Sequence, residues 1–354
     1  MRKNKKEVII VKILVVLTGG TIGSKVEGKV IDVSSAAAYN LINLYEEKYG
    51  KDTEFEVVQP LNILSENLEP SHWEVLYKCL EQVDFETYDG IIITHGTDTL
   101  SYTAAMMGYC YRHASVPMIL IASNYELQDA RSNGLANFYN AVCFIKEQVA
   151  KGVYVLFQND RKENIVYLST RIMEADTYLD QFSSYGKVDF GRMIDGHFVR
   201  TENDLNPSME NMNSPKEKIV TIHNGFKKSV LMIHPYPGLD YTRILIDENV
   251  GAVLHCLYHS ATACSSEGNC SAVDFIRKCK EKGITTYVSS FKQEANDLYA
   301  TSIDILDAGA VPLINISTEA AFAKLVVAYN QQEMEPAEFM RENIYYEMLP
   351  AAKL

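Results

Sequence analysis

Two aliphatic runs in this chain end on hydroxyl side chains set beside glycines. The first is "VVLTGGTIGS", residues 15–24, where Thr18-Gly19-Gly20-Thr21 follows Val15–Leu17. The second is "THGTDT", Thr94–Thr99, which follows Gly90–Ile93. A threonine hydroxyl has a pKa far above neutrality, so it attacks an electrophile only when a base and a fixed position are supplied. Glycines let the backbone turn tightly and come close to another group. Three readings of Thr21 stand: an attacking hydroxyl, a cap or local turn bond, and part of a loop that cradles phosphate. The third is weak, because "GGTIGS" has neither G-x-G-x-x-G spacing nor the P-loop lysine. In the second stretch His95 reads as a side chain packed under a sheet, and Asp98 or Thr99 suits the cap of a helix starting near Leu100. Two caps need neither a further hydroxyl nor a glycine, so Thr97 with Asp98 is read as a chemical pair.

These groups need elements to hold them. Ile13–Leu17, Gly90–Thr94, Pro117–Ile121 and Gly152–Phe157 read as short buried strands, and Ser71–Val83, Leu100–His113 and Asp129–Ala150 carry helical spacing between them. Such alternation implies a parallel sheet with helices on both faces. Ligands of open sheets bind outside the carboxyl ends of the strands, which puts both hydroxyl-bearing stretches on one rim. The polar, aperiodic run Thr201–Lys218, with Pro207 and Pro215, reads as a linker. Beyond it Val230–Ile233, Ala252–Cys256 and Thr285–Ser289 read as strands, with Ala272–Lys282 and Glu319–Asn330 as helices. The expectation is an α/β protein: an N-terminal domain over 1–200, a linker over 201–222 and a smaller α/β domain over 223–354.

Composition limits the partners. The 354 residues carry a formal net charge of −13, which argues against nucleic acid or an anionic membrane surface. No apolar stretch approaches the roughly 20 residues that span a bilayer. Lys12 interrupts the run behind the basic start "MRKNKKEVIIVKILVVL", and no small-residue cleavage site precedes the glycines, so that start reads as a strand and not a secretion signal. Seven cysteines cannot all pair within one chain, and none forms Cys-x-x-Cys; reduced thiols and a cytoplasmic location are expected. His255 and His259 sit on a strand and loop, not on one helical face, so no metal site is expected.

"TGGTIG" followed by "HGTDT" resembles the two signatures of the bacterial-type L-asparaginase family. "NLEPSHW" (Asn67–Trp73), "RSNGLAN" (Arg131–Asn137), "PYPG" (Pro235–Gly238), "YAT" (Tyr299–Thr301) and "STEAAFAKL" (Ser317–Leu325) follow in the family's order. The resemblance implies a flavodoxin-like N-terminal domain, a smaller C-terminal α/β domain, and a homodimer or homotetramer. It implies hydrolysis of the side-chain amide of L-asparagine or a related small amide, through an acyl-enzyme and without a cofactor. On it Thr21 is the nucleophile, Thr97 holds a water or the reacting hydroxyl, and Asp98 binds the substrate's α-amino group. Ser65 matches the serine that binds the α-carboxylate. Ser123 stands where a backbone group helps polarise the amide oxygen, and Gly20 lies in a turn offering N–H groups to an oxyanion.

The departures from the family cluster. Its catalytic lysine follows a threonine ahead of an Asp-Ala-Phe element; here "STRIMEADTYLDQF", Ser169–Phe182, has no lysine and sets Arg171 after Thr170. Arginine keeps the charge but does not release its proton near neutral pH, so Arg171 is expected either to serve the catalytic cluster by orienting Asp98 or stabilising charge, or to be a surface arginine beside a shifted loop. Glu66 stands beside Ser65, where an ionised carboxylate repels a free α-carboxylate. "IASNYE" (Ile121–Glu126) and "YHSATAC" (Tyr258–Cys264) replace two further substrate-shell segments. After Thr21 no tyrosine occurs before Tyr39, which leaves the base for Thr21 unidentified. The nucleophile and scaffold are therefore expected to persist while substrate recognition is rebuilt, with a preference for an amide lacking a free α-carboxylate. Two rival readings are a degenerate relative that binds a metabolite without hydrolysing it, and an amidotransferase subunit serving a tRNA-linked substrate. The second of these calls for an extra domain or basic surface.

Overall fold

The computed structural model describes residues 10–20, 24–27, 30–33, 35–291 and 298–350. The chain begins with β1 (Val11–Leu17), the hairpin β2 (Ser24–Glu27) and β3 (Val30–Val33), then α1 (Ser35–Tyr49), β4 (Thr53–Val58) and α2 (Pro70–Leu80). It continues through β5 (Gly90–Thr94), α3 (Leu100–Cys110), β6 (Pro117–Ile121), α4 (Gly134–Glu147) and β7 (Gly152–Gln158). Next come β8 (Asn164–Leu168), β9 (Ile172–Met173), β10 (Ser183–Ser184), β11 (Gly191–Ile194), β12 (His197–Arg200) and α5 (Met209–Asn213). The remainder is β13 (Ser229–Ile233), β14 (Val250–Cys256), α6 (Ala272–Glu281), β15 (Thr285–Phe291), α7 (Ala300–Asp307), β16 (Val311–Ile314), α8 (Thr318–Ala328) and α9 (Pro336–Arg341).

The large sheet has the order β12-β11-β8-β7-β6-β5-β1-β4. Its strands β4, β1, β5, β6 and β7 are mutually parallel. Counted along the chain, those five form the order 2-1-3-4-5 of the flavodoxin-like arrangement. The wholly buried runs Ile13–Leu17 and Gly90–Thr94 lie side by side in register, Ile13 beside Gly90 and Leu17 beside Thr94. In that order the crevice forms where the first and third parallel strands meet, which here is between β1 and β5. The expected fold class is observed. A second sheet, β13-β14-β15-β16, is all parallel.

Several elements go beyond, or stop short of, the sequence reading. The sheet continues past β7 through the antiparallel strands β8, β11 and β12. The helix expected from Asp129 begins at Gly134, because Asp129 takes the Arg131 amide and guanidinium and holds residues 129–132 in a turn. The run read as a linker includes α5, capped by Ser208 on the Asn211 amide and anchored by buried Met212. One main core joins the large sheet to α8 and the inner face of the second sheet; the other face of that sheet has its own core around Phe275, Ile276 and Ile305. The Tyr109 hydroxyl on α3 donates to the Ala320 carbonyl of α8 at 3.0 Å, which ties these two helices together. Among the described residues no helix is long and apolar enough to cross a membrane.

Candidate active site

Three loops meet at the crevice. Beyond β1, the Thr18 hydroxyl donates to the Thr94 carbonyl at 2.6 Å. The Ile63 amide donates to the Thr18 carbonyl at 3.1 Å, and the Gly20 amide to the Ile63 carbonyl at 3.0 Å. Gly20 has φ +75°, and a methyl group added there would lie 2.5 Å from the Gly96 amide nitrogen. Only glycine accepts both that backbone conformation and that contact. Gly96 is constrained from the other side, since a methyl on it would reach 2.4 Å from the Ser65 hydroxyl. The glycines of both motifs thus pull the turns after β1 and β5 together, with residues 62–66 wedged alongside. Thr21, the next residue, lies outside the described residues.

The second motif is organised by Ser65. Buried Ser65 donates its hydroxyl to Asp98 Oδ2 at 3.2 Å, and Thr99 donates its hydroxyl to the Ser65 carbonyl at 2.8 Å. Thr99 precedes α3 but makes no side-chain capping bond to it, so the hydroxyl is spent on holding the Ser65 loop. His95 is buried with Nδ1 2.8 Å from the Gly96 carbonyl, and burial lowers its pKa, which keeps it neutral. Thr97 is half-buried and Asp98 exposed, and both face a cavity of about 480 Å³. The rest of the described wall is Asn124, after β6, with Glu174–Thr177 and Asp180, after β9.

Ser123 sits next to Asn124, but its fully buried hydroxyl turns away and donates to the Tyr125 carbonyl at 2.5 Å. Glu66 is exposed and is not part of the described cavity wall. Arg171 requires a correction. Its guanidinium neither meets Asp98 nor lies on the surface; it is buried and donates to the carbonyls of Tyr346 and Leu205, at 2.6 Å each. Desolvation pulls its pKa down to about 10, which leaves it charged at neutral pH as an anchor for the C-terminal segment.

Three residues further on, across β9, Glu174 occupies the cavity wall. The Tyr102 hydroxyl donates to Glu174 Oε1 at 2.6 Å, and the Glu174 amide donates to Glu319 Oε1 at 2.7 Å. Burial raises the pKa of Glu319 and, more strongly, that of the Tyr102 phenol. Looking for a lysine in Ser169–Phe182 passes over the carboxylates Glu174, Asp176 and Asp180, which are the groups this stretch carries to the cavity. Asp176 Oδ1 accepts the amides of Tyr178 and Leu179, at 2.9 Å each, so the turn that presents it is fixed by the carboxylate itself.

A doubly wound sheet with a Thr–Asp pair at its switch point is the layout of an α/β enzyme that acts on small molecules. The chain belongs to the asparaginase family of amidohydrolases: the family described as "Asparaginase, N-terminal" matches residues 12–205. Among curated relatives, a glutamyl-tRNA(Gln) amidotransferase subunit of Methanococcus maripaludis is 26% identical over 97% of this chain and 81% of its own length. The protein of the same name from Saccharolobus islandicus is 25% identical over 96% and 76%. The fold matches the thermostable L-asparaginase of Thermococcus kodakarensis with a TM-score of 0.76 at 22% identity, covering 96% of this chain and all of that one. L-asparaginase I of Vibrio cholerae gives 0.74 at 22% identity, covering 96% and 99%.

Proposed function

We propose that the protein hydrolyses the side-chain amide of L-asparagine or a close relative through a threonine ester. Thr21 Oγ attacks the amide carbon, the C–N bond breaks, and ammonia leaves carrying the hydroxyl proton. A water held by Thr97 then adds to the ester, freeing the carboxylic acid and restoring Thr21. Asp98 holds the substrate's α-amino group, itself fixed by the Ser65 hydroxyl. The observation that supports this most is the packing of Gly20 against Gly96, which brings the backbone leading into Thr21 to the turn that carries Thr97 and Asp98. The seven cysteines are free, as suits a reducing compartment, and we place the protein in the cytoplasm. Exposed Tyr236, Leu245, Tyr299 and Ile303 on the second α/β layer suit burial between copies in a dimer or tetramer.

A second reading is favoured by the relatives named as amidotransferase subunits: ammonia release here would feed an amidation elsewhere. The two readings share the first half-reaction. Ammonia release from asparagine, glutamine and carboxyl-blocked asparagine, beside a Thr21→Ala control, tests both. The expected result is release from at least one amide that falls about 10³-fold or more in the variant. Release that survives Thr21→Ala removes the nucleophile, and no release from any amide favours a protein that only binds its ligand.

A further inference from the structure

A second cavity, of about 220 Å³, shares a partition with the first. Asp98 lines the first cavity, and Thr99, the next residue, lines the second. Tyr102 lines the second while its hydroxyl donates to Glu174, in the wall of the first, at 2.6 Å. The turn at residues 65–68 also reaches both: the Ser65 hydroxyl fixes Asp98, and Leu68, whose amide donates to the Ser65 carbonyl at 3.1 Å, lines the second.

Carbon dominates the described wall of this second cavity. Leu68, Pro70, Trp73, Met232 and Phe322 supply it, and the Phe322 ring meets those of Tyr102 and Trp73 at 5.6 and 6.4 Å. The polar groups of the wall are engaged elsewhere. Trp73 Nε1 donates to the Thr103 hydroxyl at 3.0 Å, Thr99 donates to the Ser65 carbonyl at 2.8 Å, Tyr102 is held by Glu174, and Glu69 is exposed. Such a wall gains from burying hydrocarbon and gives a charge or a water no partner. An apolar cavity of about 150 Å³ already holds a benzene ring, so this one has room for a group of that size.

Resting on the amide-hydrolase reading above, we propose that the second cavity is a specificity subsite for an apolar group, of benzyl or branched aliphatic size, carried on the carboxyl end of the substrate's asparagine. The α-carbon of such a substrate bears an ammonium group, which Asp98 takes, and a side chain whose amide goes to Thr21 and Thr97. Its carboxyl end is the remaining branch, and the Asp98–Thr99 partition sets that branch beside the apolar wall.

The test compares three compounds, each releasing ammonia from one primary amide: L-asparagine, its α-methylamide and its α-benzylamide. kcat/KM is expected to be about tenfold or more higher for the benzylamide than for the methylamide, and to keep that ratio in about 0.5 M salt, because apolar contact is not screened. In Met232→Trp, which fills the cavity, the ratio is expected to collapse. A preference for free asparagine, equal rates for the two amides, or a ratio lost in salt overturns the inference and leaves the hydrolase reading standing. No ammonia from any of the three, nor from glutamine, overturns the hydrolase reading instead. Calorimetric binding of the two amides to the wild-type protein then decides the inference alone: tighter binding of the benzylamide upholds it, and no preference or no binding overturns it.

Discussion

Arg171 and Glu174 stand three residues apart on either side of β9, yet they belong to two regions that treat charge in opposite ways. On the Arg171 side the buried charges Arg171, Lys324 and Glu347 are answered from within the chain. Lys324, fully buried, pairs with Glu347 Oε1 at 2.6 Å and donates to the carbonyls of Met340 and Glu342. Glu347 also accepts the amides of Ile344 and Tyr345 at 2.9 and 2.7 Å, and the Thr170 hydroxyl donates to the Tyr345 carbonyl at 2.6 Å. This clamp ties residues 340–347 to the large sheet. On the Glu174 side the carboxylates face open volume, with no cation in the described wall. Charges satisfied internally serve stability; charges aimed at a cavity serve recognition.

Substitutions can break that contrast or sharpen it. The largest effect on stability is expected from Lys324→Met, which strands the buried Glu347 carboxylate and should cost about 3–5 kcal/mol in urea denaturation. His255 is a buried group of the second sheet: its Nε2 lies 2.6 Å from the Tyr241 hydroxyl, its Nδ1 has no hydrogen-bond partner among the described residues, and burial lowers its pKa to about 4. The unfolded chain, with a histidine pKa near 6.5, takes up that proton first as pH falls. Its contribution is therefore whole above about pH 6.5 and lost towards pH 4, by roughly 3 kcal/mol. Denaturation at a series of pH values should show this slope in the wild type and a flatter one in His255→Gln.

Gly20→Ala meets both a positive φ and the Gly96 backbone, and is expected to lose about 1–3 kcal/mol together with ammonia release, measured on the same preparation. Asp180→Asn should move stability by no more than about 0.5 kcal/mol, since asparagine tolerates the φ of +53° found there. A large loss of stability from Asp180→Asn would place the cavity carboxylates with the clamp and erase the contrast.

Much of the site's scaffold was legible because it follows from strong local signals. The runs Gly90–Thr94 and Pro117–Ile121, read as strands from their aliphatic residues, coincide with β5 and β6 to the residue, and the glycine turns mark where the chain leaves the sheet. The strands β8, β11 and β12 were not legible: they are short and antiparallel, and β11 and β12 alternate in burial without a long apolar run. The exchange of Arg171 for Glu174 was hidden for a similar reason. β9 is a two-residue strand paired with Ser183 and Ser184, so its neighbours face whichever way that pairing dictates, and spacing from Thr170 alone does not fix the register. Ser65 was marked as a substrate-binding residue by the family resemblance, but its role in holding both Asp98 and Thr99 needed the fold.

The most direct measurement is ammonia release by Thr97→Ala beside Arg171→Met, each on the amide the wild type cleaves fastest and each with its unfolding transition recorded. We expect Thr97→Ala to lose about 10²-fold or more in kcat with little change in unfolding. Arg171→Met should instead lower stability while its folded fraction turns over as the wild type does. The reverse pattern, with Thr97→Ala active and Arg171→Met folded but inert, would contradict the assignment of the cavity as the reactive centre.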